Sequence, residues 1–325
     1  METGSFLELD LGQSGEYFQA PDITRLNAAR AGIYHAMRIY GFRKIYIPYY
    51  QCPTVSAFLK SKQIEIEYYH IDKEFEPLNV RQSENSVMLL VNYFGILSLD
   101  KMQKMSEKYS NVIIDNSAAF YMSPLPECLN VYSARKFFGV PDGCYVIGKN
   151  AVKFTEEYSD DYSSDTAAFL LKRIEYGCSA VYAERMRNEE RIDKSDILKM
   201  STLTRSLLSA IDYNAIASRR KSNFYFAHSL YKNINLIDPT KFIAEDNVAM
   251  VYPLVVEDKY LMEKLREKQI YTGRWWNSVL QTVEDDSFEA FLSTYMLPLP
   301  IDQRYNNDDV LVVNKIVTEN IENQY

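Results

Sequence analysis

Apolar positions along the first 150 residues switch repeatedly between helical spacing and unbroken runs. In 28–40, Ile33, Ala36, Met37 and Tyr40 recur every three or four residues, and Gly41 supplies a stop. Lys44–Pro48 reads as a short strand closed by proline, 54–62 as a short helix, and 64–69 alternates as a strand does. The run 87–92 is apolar up to its closing Asn92, the mark of a strand covered on both faces. After a helical stretch at 99–109, three more buried strands are predicted at 111–115, Leu129–Ser133 and 144–148. Strands alternating with helices imply crossover connections and a mainly parallel sheet.

Beyond residue 165 the pattern becomes helical and charge-laced, with no glycine between Gly177 and Gly273. Mixed structure returns with a strand at 248–256, a helix at 258–268, a proline-rich edge segment at 295–300 and a last helix at 308–323. The plan is a large α/β unit over 1–165, connecting helices over 166–235 and a smaller α+β unit over 236–325.

Composition removes several function classes. The net charge is −8 with no basic stripe, which argues against nucleic acid as the partner. No stretch reaches the ~20 apolar residues of a membrane span, and the first ten residues carry acids where a secretory leader would carry bases. Four scattered cysteines and three isolated histidines show no ligand spacing, so no metal site is expected. Reduced thiols in a cytoplasmic protein are the expectation. The 26 tyrosines suit core, interface and polar clefts alike.

Ligands of open parallel sheets collect at the carboxyl ends of the strands. Those ends here carry Tyr50 and Cys52, Asn92 to Gly95, Asp115, and Ser133 with Lys136 shortly after. An acid and a lysine at strand ends suit pyridoxal phosphate (PLP). Lysine is the amine whose pKa falls readily on desolvation, and a buried carboxylate keeps the pyridine nitrogen protonated. The phosphate wants a helix N-terminus with small residues and a hydroxyl. The Ala28-Ala29-Arg30 helix start and Ser133 offer these, and Tyr50 or Cys52 could cover the ring. Arg274, Trp275 and Trp276, after Gly273, are candidates for a substrate cleft.

The segments Ile113-Ile-Asp-Asn-Ser-Ala-Ala-Phe120 and Val131-Tyr-Ser-Ala-Arg-Lys-Phe-Phe-Gly-Val-Pro-Asp-Gly143 resemble the core of fold-type I PLP enzymes, most nearly the DegT/DnrJ sugar aminotransferases. The resemblance spans roughly 25–320, and only 115–143 is specific. It implies a three-layer, aspartate-aminotransferase-like large α/β domain with a mainly parallel sheet, followed by a smaller C-terminal α+β domain. It implies Lys136 as the Schiff-base lysine and proton shuttle, Asp115 as the partner of the pyridine nitrogen, and Ser133, Ala29 and Arg30 around the phosphate. A homodimer with a shared site, an amino donor such as glutamate and a keto-sugar nucleotide as acceptor are implied too. Ala118 stands where many family members have a glutamine, Cys52 where they have an aromatic, and Ala28-Ala29-Arg30 where they have Gly-Thr or Gly-Ser. Another PLP reaction (lyase, decarboxylase or dehydratase) and a non-catalytic regulator or scaffold are the rival readings. In the group's sugar dehydratases a histidine replaces the lysine, so Lys136 favours transamination.

Overall fold

A computed structural model describes residues 6–322. The chain runs β1 (Ile23–Leu26), α1 (Ala29–Tyr40), β2 (Lys44–Pro48), α2 (Pro53–Ser61), β3 (Glu65–Ile71), β4 (Pro77–Leu78), β5 (Val87–Val91), α3 (Leu99–Ser106), β6 (Val112–Asp115), β7 (Leu129–Ser133) and β8 (Cys144–Ile147). Four helices follow: α4 (Ser164–Ala180), α5 (Tyr182–Lys194), α6 (Thr202–Ser209) and α7 (Tyr213–Tyr231). The last part holds β9 (Tyr252–Val255), α8 (Leu261–Glu267), α9 (Phe288–Tyr295), β10 (Met296–Leu299) and α10 (Asn307–Glu322). Residue 323 of the expected last helix and residues 1–5 of the expected leaderless start lie outside the described residues.

The main sheet has eight strands in the order β1-β8-β7-β6-β5-β2-β3-β4. Its centre is parallel, as expected: β2 pairs with β3 and β5, and β6 with β5 and β7. The edges depart from the expectation, since β8 runs antiparallel to both β7 and β1, and β4 to β3. Only ten residues join β7 to β8, too few for a crossover back to a parallel strand.

Side chains alternate across the sheet, and each face has its own core. Ile33, Ala36 and Met37 of α1 pack with Ile45, Ile47, Leu89, Ile113, Val131 and Val146. A β-carbon on Gly32 would lie 2.6 Å from Cys144 Sγ and 3.0 Å from Val131, so only glycine lets α1 come this near the sheet. The other face carries Tyr46, Met88, Leu90, Ile114, Tyr132 and Tyr145, joined by Phe120, Phe138 and Tyr213 in an aromatic cluster.

The C-terminal part builds a second sheet of two antiparallel strands, with Pro298 opposite Pro253 so that neither removes a ladder donor from a central strand. The strand expected over 248–256 is shorter. Its first half docks instead on the 93–97 loop, where Met250 N–H donates to Phe94 (2.8 Å) and the Asn247 amide to Leu97 (2.9 Å). The second sheet and α7 share the core of the far face of the main sheet rather than forming a separate one. Among the described residues no helix is long and apolar enough to cross a membrane.

Candidate functional site

Asp115 and Ser133 end neighbouring parallel strands, with Asp115 aligned on Val131 and Ser133 two residues further along. By strand alternation Asp115 continues the row of Ile113, and Ser133 the row of Val131. Both rows face α1, so the acid, the hydroxyl and the start of α1 share one side of the sheet. Lys136 closes the single 3-10 turn Ala134–Lys136 that leaves β7. That turn is held by Ala134 N–H donating to Gly143 (3.1 Å) and Phe138 N–H donating to Ala134 (2.9 Å).

Asp115 is 4% exposed, and both of its oxygens are engaged. Oδ1 accepts from the Ser117 N–H (2.9 Å), which closes a local turn, and Oδ2 accepts from Gln51 Nε2 (3.0 Å). Lys136 is exposed, and its ammonium has no hydrogen-bond or ion-pair partner among the described residues. Its charge reaches Glu189 on α5, which pairs with Arg135 at 2.6 Å. Burial pushes the Glu189 carboxyl up, but the charges of Arg135, Arg185 and Lys136 outweigh it and hold it below the usual carboxylate range. Ser133 is buried, and its hydroxyl has no partner among the described residues.

The start of α1 fits an anion. Ala29 is its first residue, the preceding Ala28 provides no side-chain cap, and the first turn carries no acid. The helix N–H groups there are left for a ligand. Arg30 does not join them: Nη1 pairs with Asp193 (2.5 Å), Nη2 donates to the Ile192 carbonyl, and the guanidinium lies over Phe58. The expected Arg30 phosphate contact is thus replaced by a tie between α1 and the end of α5.

Tyr50 also departs from expectation. It is fully buried between Tyr93 (5.7 Å) and Trp276 (4.6 Å between ring centroids), where it cannot lie over a bound ring. Cys52 remains partly exposed beside Thr54 and is the one of the two that lines open space. Ala118 lies against Gly95, where a β-carbon would sit 2.2 Å from the Ala118 carbonyl oxygen. Trp275 packs on Phe94 (5.2 Å), so the tryptophan pair is brought to the strand ends through Tyr50 and Phe94. Arg274 is held at the Asp258 carbonyl (2.8 Å), and burial lowers its pKa.

A cleft of about 280 Å3 opens beside Gln51 and Cys52, lined also by Lys60, Tyr68, Ser278 and Thr282. A larger cleft of about 360 Å3 borders α1 at Tyr34 and Arg38. Its charges are already paired, Arg38 with Glu157 and Lys62 with Asp196, and it contains none of the strand-end residues, whereas the smaller cleft takes Gln51 and Cys52 from the end of β2. Gln51 is the site residue that sequence reasoning missed. It lies between two residues singled out on their own account, and no local pattern joins it to Asp115, 64 positions away.

An acid, a strand-end hydroxyl and an uncapped helix start on one side of the sheet, with a lysine free of partners in the turn that leaves the neighbouring strand, are the donor set that PLP requires. No family model and no curated protein matches the chain by sequence. Solved structures do match. The sugar aminotransferase CalS13 from Micromonospora echinospora aligns over 92% of this chain and 87% of its own, with a TM-score of 0.63 at 14% identity. Spr1654 from Streptococcus pneumoniae in its PMP form aligns over 95% and 89%, with a TM-score of 0.66 at 14% identity. A DegT/DnrJ/EryC1/StrS aminotransferase from Brucella abortus aligns over 91% and 85%, with a TM-score of 0.61 at 12% identity. Across nearly its whole length, the chain has the fold of these aminotransferases.

Proposed function

We propose that this chain is a divergent DegT/DnrJ-type enzyme, a PLP-dependent aminotransferase acting on sugars. The observation that carries the proposal is the partner-free Lys136 one strand away from buried Asp115, in a fold shared with sugar aminotransferases. One neighbour, Spr1654, has been solved in PLP and PMP forms, the two states a transaminating cofactor passes between.

PLP supplies an aldehyde that condenses with amines and a ring that withdraws electrons from the attached carbon. The rest belongs to the protein. Lys136 Nζ would supply the amine that holds the cofactor and, once free of it, would carry the proton removed from the Cα of an amino donor such as glutamate. Asp115, buried at the end of β6, would face the ring nitrogen and hold its proton. The N–H groups of α1 and the Ser133 hydroxyl hold the phosphate. For the keto acceptor, a nucleotide-linked sugar is our assignment.

We assign a homodimer. Leu171, Ile174, Tyr176 and Tyr182 on α4 and α5 are exposed, Ile174 by 83%, and they lie on the helices that border the Lys136 turn. A second copy packed there would cover this apolar surface and wall in the lysine. Four free cysteines fit a reducing, cytoplasmic setting.

The test is direct. Protein incubated with PLP and reduced with borohydride should carry a pyridoxyl adduct on Lys136 by peptide mass spectrometry, absent from Lys136→Ala. Glutamate should convert bound PLP to the pyridoxamine form with release of 2-oxoglutarate. A wild-type protein that takes up no adduct sinks the assignment of PLP. An adduct that no amino donor discharges sinks transamination. Light scattering that finds only monomer removes the homodimer.

A further inference from the structure

We infer that Gln51 is the positioning residue for Asp115, and that its Nε2 donor sets the protonation state and affinity of the cofactor. The inference rests on the PLP assignment above. Gln51 is 7% exposed in the loop between β2 and α2. Its side chain makes two contacts of opposite kind. Nε2 donates to Asp115 Oδ2 at 3.0 Å, while Oε1 accepts the Cys52 N–H at 2.8 Å. The Cys52 contact fixes which end of the amide faces the acid, because only an oxygen can accept from a backbone N–H.

The consequence for Asp115 is geometric and electrostatic. Ser117 N–H anchors Oδ1 alone, and a carboxylate held by one oxygen still swings about its terminal torsion. The Gln51 donor removes that freedom from the other oxygen. A neutral donor also orients the carboxylate without cancelling its charge, as a cation would. Each oxygen of a carboxylate accepts two hydrogen bonds, so a ring N–H can share Asp115 with Gln51.

The loop itself is braced independently. Tyr93 donates its hydroxyl to the Tyr50 carbonyl (2.9 Å), and Tyr49 N–H donates to Tyr69 (2.9 Å). Gln51 is therefore not the only thing holding the loop, and its side chain can be changed with the backbone kept in place.

Two variants separate positioning from structure. Gln51→Glu keeps the size and the acceptor for Cys52 N–H but turns an oxygen toward Asp115. Gln51→Met keeps the length and loses both contacts. Each protein is titrated with PLP labelled with nitrogen-15 at the ring, following affinity by tryptophan fluorescence and ring protonation by the nitrogen chemical shift. Wild type should show a protonated ring nitrogen. Both variants should bind PLP roughly ten- to a hundred-fold more weakly, the factor for losing a hydrogen bond to a charged group, with the nitrogen shift moved toward the unprotonated range. Gln51→Glu should be the worse of the two, since it adds repulsion. Should Gln51→Met fail to fold, Gln51→Glu decides alone. If Gln51→Glu matches wild type in affinity and nitrogen shift while wild type still forms the Lys136 adduct, the role of Gln51 is overturned and the PLP assignment stands. If wild type itself binds no PLP, the assignment falls and the inference with it.

Discussion

Arg220 of α7 is 2% exposed and makes no ion pair among the described residues, so its substitution tests how this core carries a buried charge. Nε donates to Gln303 (3.0 Å) and Nη1 to the Met250 carbonyl (2.9 Å), while the contacts to Ala249 and Phe137 are at the limit of a hydrogen bond. The guanidinium also lies 4.6 Å from the Phe137 ring, one residue beyond Lys136. Burial lowers its pKa to about 10, against an attraction from Asp302. Measured from the usual 12.5, that is a charge penalty of roughly 3 kcal/mol. Arg220→Met loses two charged hydrogen bonds, about 1.5–3 kcal/mol each, but sheds the penalty, and Gln303 Nε2 still serves the Phe137 carbonyl at 2.8 Å. The net loss is about 0–3 kcal/mol. Arg220→Lys keeps a buried charge, reaches at most one acceptor and gives up the ring contact, worth ~1 kcal/mol. Its loss is about 2.5–4 kcal/mol. Urea unfolding followed by circular dichroism at pH 7.5 should therefore place the midpoint of Arg220→Met above that of Arg220→Lys. A Lys variant as stable as the Met variant would refute the reasoning, because it would show that a buried charge stripped of its fork of hydrogen bonds costs nothing.

Three further outcomes follow from other contacts. Gly32→Ala should destabilise by about 1–3 kcal/mol through overpacking against Cys144 and weaken PLP binding by displacing the start of α1; pairing it with Cys144→Ala should recover part of both, as read by thermal melts and PLP titration. In native protein at pH 8 a thiol reagent should label Cys52 quickly and spare Cys128 and Cys144, whose thiols burial pushes up; fast modification of Cys128 or Cys144 would contradict the buried positions. His35 is buried between the Tyr158 hydroxyl (2.7 Å) and the Ala151 carbonyl (2.7 Å), and burial lowers its pKa, partly offset by the Ala151 hydrogen bond. The unfolded chain then takes up the proton first, so stability present above pH 6.5 erodes as pH falls below it. Melting temperatures at pH 7.5 and 5.5 should differ less in His35→Gln than in wild type.

Local pattern determined much of this protein. The 3.6-residue period of α1, the apolar runs of β5 and β6, the strand β7, and the acid and lysine at the exits of β6 and β7 were all legible, because helix period and strand burial are written in neighbouring residues. The parallel centre of the sheet followed from the alternation of elements. Tertiary structure alone decided the rest. That β8 turns antiparallel depends on the length of a loop, that 248–251 leaves its strand depends on the partners offered by the 93–97 loop, and that Arg30 turns to Asp193 depends on where α5 ends. Tyr50 and Gln51 are adjacent in sequence, yet one fills the core and the other holds Asp115. A side chain's direction is set by whichever distant element packs beside it, and a polar group once buried must take the partner that packing supplies.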